Sequence, residues 1–94
     1  MSGLMFAWDA KKDRANQHRH GVSFAEARTV FYDENAREYS NPDHSEREER
    51  FILLGLSHRP RVLVVCHCYR ESESVIRIIS ARKADRNEEQ VYWS

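Results

Sequence analysis

The chain has 94 residues, 40% of them apolar and 32% charged, with 15 Lys and Arg balanced by 15 Asp and Glu. That length gives one domain over residues 1–94 with a single modest core, and the zero formal charge excludes nucleic-acid binding by bulk charge, leaving only local patches. No stretch approaches the roughly 20 apolar residues of a membrane span. The segment MSGLMFAW lacks a basic region or a long apolar run, so the expected location is cytoplasmic.

Leu4 to Trp8 is a short apolar run that reads as a first strand. Asp9 is a good N-cap for a charged helix over Ala10–His20, and Gly21 suits the left-handed residue just past its end. Ser23 caps a second helix. Glu26 lies at the capping-box spacing, and Phe24, Ala27, Val30 and Phe31 are spaced for one face. A turn follows over Tyr32–Asn35, then a short edge strand over Arg37–Ser40, broken by Asn41, Pro42 and Asp43. His44 to Glu49 reads as a polar loop or helical turn. Arg50 to Ser57 reads as a strand buried on both faces, with a bulge expected at Gly55. Two long strands, Arg61–Arg70 and Val75–Arg82, flank the turn Glu71–Ser74, and Asp85 caps a short helix bearing Val91, Tyr92 and Trp93. Helices gathered ahead of consecutive strands predict an α+β fold: two N-terminal helices packed on one face of a twisted antiparallel sheet of about four strands. The other face is left partly open for a site.

Chemistry concentrates in the last hairpin. Strict alternation places Leu63, Val65, His67 and Tyr69 on one face. If Arg70 opposes Val75, His67 lies opposite Ile78, with Ser80 and Arg82 farther along that face and Arg70 beside Arg77 on the other. A histidine among arginines is what RNA cleavage without a metal needs: a base for the 2′-hydroxyl, an acid for the leaving 5′-oxygen, and cations for the phosphate. His67 is the candidate proton carrier, since imidazole exchanges protons near neutral pH. Each residue also has an ordinary explanation. His67 fits a half-buried strand histidine, Arg70 and Arg77 fit partners of nearby glutamates, and Lys12, His20, Arg82 and Lys83 fit a solvated surface. Tyr69 and Trp8 have the rings to stack on bases but equally fit the rim of a core. Cys66 and Cys68 lie on the same strand face and read as small hydrophobes rather than a disulfide. His67 points away from both, so neither a metal site nor a cofactor is expected.

Taken together, FAWD at Phe6–Asp9 with Lys12, HGVSFAEA at His20–Ala27, VF at Val30–Phe31, DHSEREERFILLGLS at Asp43–Ser57, VLVVCHCYRE at Val62–Glu71 and IRIISARKA at Ile76–Ala84 resemble the BrnT family of type II toxin–antitoxin ribonucleases. The resemblance implies a RelE-like fold and an endoribonuclease that cuts RNA and inhibits translation. It also implies a heteromeric complex with a BrnA-type ribbon-helix-helix antitoxin, through which alone the toxin would meet DNA. On the matching positions His67, Arg70, Arg82 and Lys12 are expected to be catalytic, and Arg77, Lys83, Tyr69 and His20 to bind substrate. Cys68 departs from the small hydroxyl residue expected there. The alternative is a non-enzymatic interaction module that binds an acidic partner through the same basic hairpin.

Overall fold

The structure is a computed structural model that describes residues 3–41 and 48–94. The break expected at Pro42 and Asp43 and the start of the polar loop at His44 lie outside the described residues. Strand β1 (Met5–Ala7) leads into helix α1 (Ala10–His20) and helix α2 (Phe24–Thr29), which runs on into a 3-10 turn, Val30–Tyr32. Strands β2 (Arg37–Ser40), β3 (Phe51–Leu56), β4 (Val62–Arg70) and β5 (Val75–Lys83) follow, and helix α3 (Arg86–Trp93) closes the chain.

The strands form one sheet in the order β1-β5-β4-β3-β2. Among the described residues it has five strands where about four were expected, and it is mixed: β1 joins β5 in parallel, while the other three pairings are antiparallel. A parallel partner is possible because the chain crosses the whole sheet through both helices and three strands before β5 forms. β1 pairs only with Val75–Arg77, so among the described residues the rest of β5 has a free edge.

Local chemistry sets the helix ends. The Asp9 carboxylate accepts from the Lys11 N–H at 2.8 Å, and Gly21 ends α1 at φ 70° with its N–H on Gln17 O. Ser23 accepts from the Glu26 N–H at 3.0 Å. The reciprocal half of the expected capping box is missing, because the Glu26 side chain turns inward instead. It forms a fork with Arg61 and accepts from the Ser57 hydroxyl at 2.7 Å, tying α2 to the β3–β4 turn. The full capping box stands at α3, between Asp85 and Glu88.

One face of the sheet buries Leu53, Leu63, Val65, Ile78 and Ala81 under Val22, Phe24, Ala27 and Val30. α2 and its 3-10 extension supply that cover. α1 does not pack an apolar face on the sheet: its one buried residue is Asn16. The opposite face carries a smaller cluster, Leu54, Val62, Val64 and Tyr92, covered by α3. Gly55 sits in regular pairing rather than at the expected bulge. Its missing side chain is needed because a Cβ there would stand 2.7 Å from Val30 and 2.8 Å from Ala36.

The bulge lies instead in β5. Cys66 pairs with Ser80 but His67 pairs with Ile78, so Ile79 is the extra residue. The pairings of His67 with Ile78 and of Arg70 with Val75 are as expected. Past Ile79 the alternation flips, which moves Ser80 and Arg82 off the face of His67 and onto the open face with Val64 and Cys66.

Candidate RNA-binding site

His67 is fully buried. Its Nδ1 lies 3.1 Å from Val65 O, and its Nε2 lies 2.8 Å from Glu38 Oε2 on β2. Phe31 packs edge-on at 4.8 Å between centroids, and Phe51 and Tyr69 complete the enclosure. The Tyr69 hydroxyl donates to the same Glu38 oxygen. Burial first, and that hydrogen bond second, push the phenol well above its ordinary range. His67 has no exposed surface in this arrangement, and the Tyr69 hydroxyl is engaged by Glu38.

The arginines divide as well. Arg70 bonds Glu48 at 3.0 Å near the hairpin end of β4. Arg77 is half-buried between Ala7 and Cys68. Arg82 pairs opposite Val64, six residues along β4 from Arg70, or roughly 20 Å. Lys83 pairs opposite Leu63 and faces the other way from Arg82. Trp8 packs edge-on against Phe24, at the rim of the core.

Three of the expected residues do come together. Two hollows, about 270 and 420 Å³, adjoin at the free edge of β5 and share His20 and Ser80. The first is lined by Lys12, Arg19 and Ile79, the second by Asn41, Cys66 and Arg82. They form one trough with His20 at its middle, cations on both sides and no carboxylate among the described lining residues. Lys12 and Arg19 form no ion pair with a described residue, and no described residue hydrogen-bonds the His20 ring. Arg82 is held by Glu88 through two bonds of 2.8 Å, and these bonds draw the Glu88 carboxyl below its usual range. The fork leaves other guanidinium donors for an anion.

The floor of the trough is built by Asn16. Its amide donates to Ala81 O and Val22 O, both at 2.8 Å, and its oxygen accepts from Ala81 N at 3.1 Å. The side chain thus takes the place of a missing strand neighbour at the free edge of β5 and fixes α1, with Lys12, Arg19 and His20, against it. Sequence reasoning missed Arg19 as a lining residue. The signal was present, since Lys12, Ala15, Asn16 and Arg19 are spaced for one helix face. Among the described residues no cluster of three or more His, Cys, Asp or Glu side chains is placed to hold a metal.

A family model described as "Ribonuclease toxin, BrnT, of type II toxin-antitoxin system" matches residues 8–88. The chain belongs to the BrnT family. Among solved structures, the Brucella abortus ribonuclease toxin BrnT, determined at 1.1 Å, shares the fold with a TM-score of 0.66 and 20% identity. The match covers 89% of this chain and 100% of that one. No curated protein matches. As a member of the BrnT family this chain is a ribonuclease toxin of a type II toxin–antitoxin system, with RNA as its substrate class and an antitoxin as its partner.

Proposed function

We propose that this toxin is a metal-independent endoribonuclease that inhibits translation by cutting RNA in the trough across the free edge of β5. The observation that carries the reading is His20, whose imidazole no described residue hydrogen-bonds and which is flanked by Lys12 and Arg19 on one side and Arg82 on the other. In this reading His20 exchanges the proton of the 2′-hydroxyl or the 5′-oxygen. Arg82 grips the scissile phosphate through the donors that Glu88 leaves free, and Lys12 and Arg19 steady the charge that builds on it. His67, first expected to carry the proton, acts from the core by holding β4 to β2 through Glu38. Arg70, Arg77 and Lys83 lie outside the trough and bind flanking phosphates. A BrnA-type ribbon-helix-helix antitoxin neutralises the toxin and links it to DNA.

The test is cleavage of single-stranded RNA by purified protein, with and without a chelator. His20→Ala and Arg82→Ala are expected to lose about 100-fold or more in rate while keeping the fold, and chelation is expected to change nothing. Wild-type cleavage by both folded variants would sink the assignment of the trough.

A further inference from the structure

The open face carries a second concavity that the trough does not use. A groove of about 380 Å³ is walled by Tyr39, Ile52, Leu54, Val64 and Val91, with Glu88 also in its lining. Tyr39 and Val91 stay 44% and 43% exposed, which is unusual for two large apolar groups facing one hollow. Its outer walls are α3 and β2, and β2 is an edge strand with every residue exposed. Groove and trough share Ile52 and Val64, so they run into one another on the sheet. Arg82 stands at the junction: it lines the trough, and its partner Glu88 lines the groove.

RNA does not suit this groove, because no lysine or arginine is among the described residues that line it and phosphate contacts dominate RNA affinity. A protein segment does suit it. The walls call for large apolar side chains, and the adjoining trough, lined among the described residues by Lys12, Arg19, His20 and Arg82 and by no carboxylate, calls for an acidic group. The outer edge of β2, which no described strand pairs, adds backbone donors and acceptors beside the groove. Building on the toxin reading above, we infer that the groove seats a segment of the antitoxin. That segment presents large apolar side chains to Tyr39 and Val91 and a carboxylate to the trough cations. Affinity comes from the groove, and inhibition follows because the acidic end occupies the place of the RNA phosphate.

The experiment uses the full toxin, its Val91→Asp and Tyr39→Ala variants, and the purified antitoxin of the same operon. Each toxin's cleavage of RNA is first measured alone, which tests the nuclease reading by itself. The variants are expected to keep the fold and the wild-type cleavage rate, to bind antitoxin at least about 30-fold more weakly, and to resist inhibition accordingly. Wild-type affinity in both variants overturns the inference, as does a wild-type toxin that does not bind the antitoxin. Loss of cleavage in folded variants puts RNA in the groove and also overturns it. So does a wild-type dimer that Val91→Asp splits with antitoxin affinity unchanged, since the occupant is then a second copy of the chain. Weakened antitoxin binding in the variants of a toxin that never cuts RNA sustains the docking site and defeats the nuclease reading.

Discussion

At the scale of single residues, the fold encloses His67 completely and leaves the His20 ring without a hydrogen bond to any described residue. His67 sits in the chemically richest stretch, between two cysteines and ahead of Tyr69 and Arg70. The partner that decides its role, Glu38, lies 29 residues away on another strand. Nothing local in the sequence announces that bond. The arrangement predicts what His67→Ala does. It removes a fully buried ring packed by Phe31, Phe51 and Tyr69 and leaves Glu38 with the tyrosine hydroxyl alone among its described partners. A loss of about 3 kcal/mol of stability is expected, read from urea denaturation, with RNA cleavage per folded molecule unchanged. The reverse pattern, full stability with cleavage lost, would return the proton-transfer role to His67. Tyr69→Phe removes only one of the two donors to Glu38 and is expected to cost about 1 kcal/mol.

At the scale of elements, the legible features were those fixed by neighbours in sequence. Asp9, Gly21, Ser23 and Asp85 set helix ends through bonds that span two to four residues. The hairpin register followed from the four-residue turn as far as Ile78. The bulge at Ile79 was not legible, since an isoleucine between Ile78 and Ser80 continues an apolar strand without any mark. That single extra residue decides which face Arg82 serves. The free edge of β5 was equally hidden, because it follows from β1 stopping at Ala7. Asn16 answers that edge, and its geometry is demanding: two donors and one acceptor are all engaged. Asn16→Asp keeps the shape but can no longer donate to Ala81 O and Val22 O. Both Asn16→Asp and Asn16→Ala are therefore expected to cost about 2–3 kcal/mol. For a domain of this size the thermal midpoint then falls by 8 °C or more, on the order of 4–8 °C per kcal/mol. An unchanged midpoint in both variants would mean that α1 is held to β5 by something other than this amide.

At the scale of the whole molecule, the balance of charge makes acid the condition to which the fold is most exposed. Glu26 is buried, and the Arg61 hydrogen bond, outweighing burial, draws its carboxyl below the ordinary value of 4.5. For Asp33 burial raises the carboxyl, but the Leu56 N–H, the Tyr92 hydroxyl and the Asn35 N–H together bring it below 3.8. Burial and the same bond to Asp33 push the Tyr92 phenol up to about 12. A carboxyl with a lower pKa in the folded state binds fewer protons there than in the unfolded chain. Its stabilisation is therefore complete above the unfolded value and is lost as pH falls through the folded one. The loss begins just below pH 5 and deepens as pH falls further, most of it from Glu26 because Arg61 and Ser57 surround it. The Arg82–Glu88 pair adds less, because both side chains remain substantially exposed. Over the same range the 15 acidic residues neutralise and leave 15 Lys and Arg and five His uncompensated, so self-repulsion steepens the fall. Denaturant unfolding between pH 7 and pH 3 is expected to trace this decline. Glu26→Gln is expected to be about 3 kcal/mol less stable at pH 7, where Arg61 loses its charged partner, and to show a shallower acid limb than wild type. Parallel curves for wild type and Glu26→Gln would assign the acid sensitivity to repulsion alone.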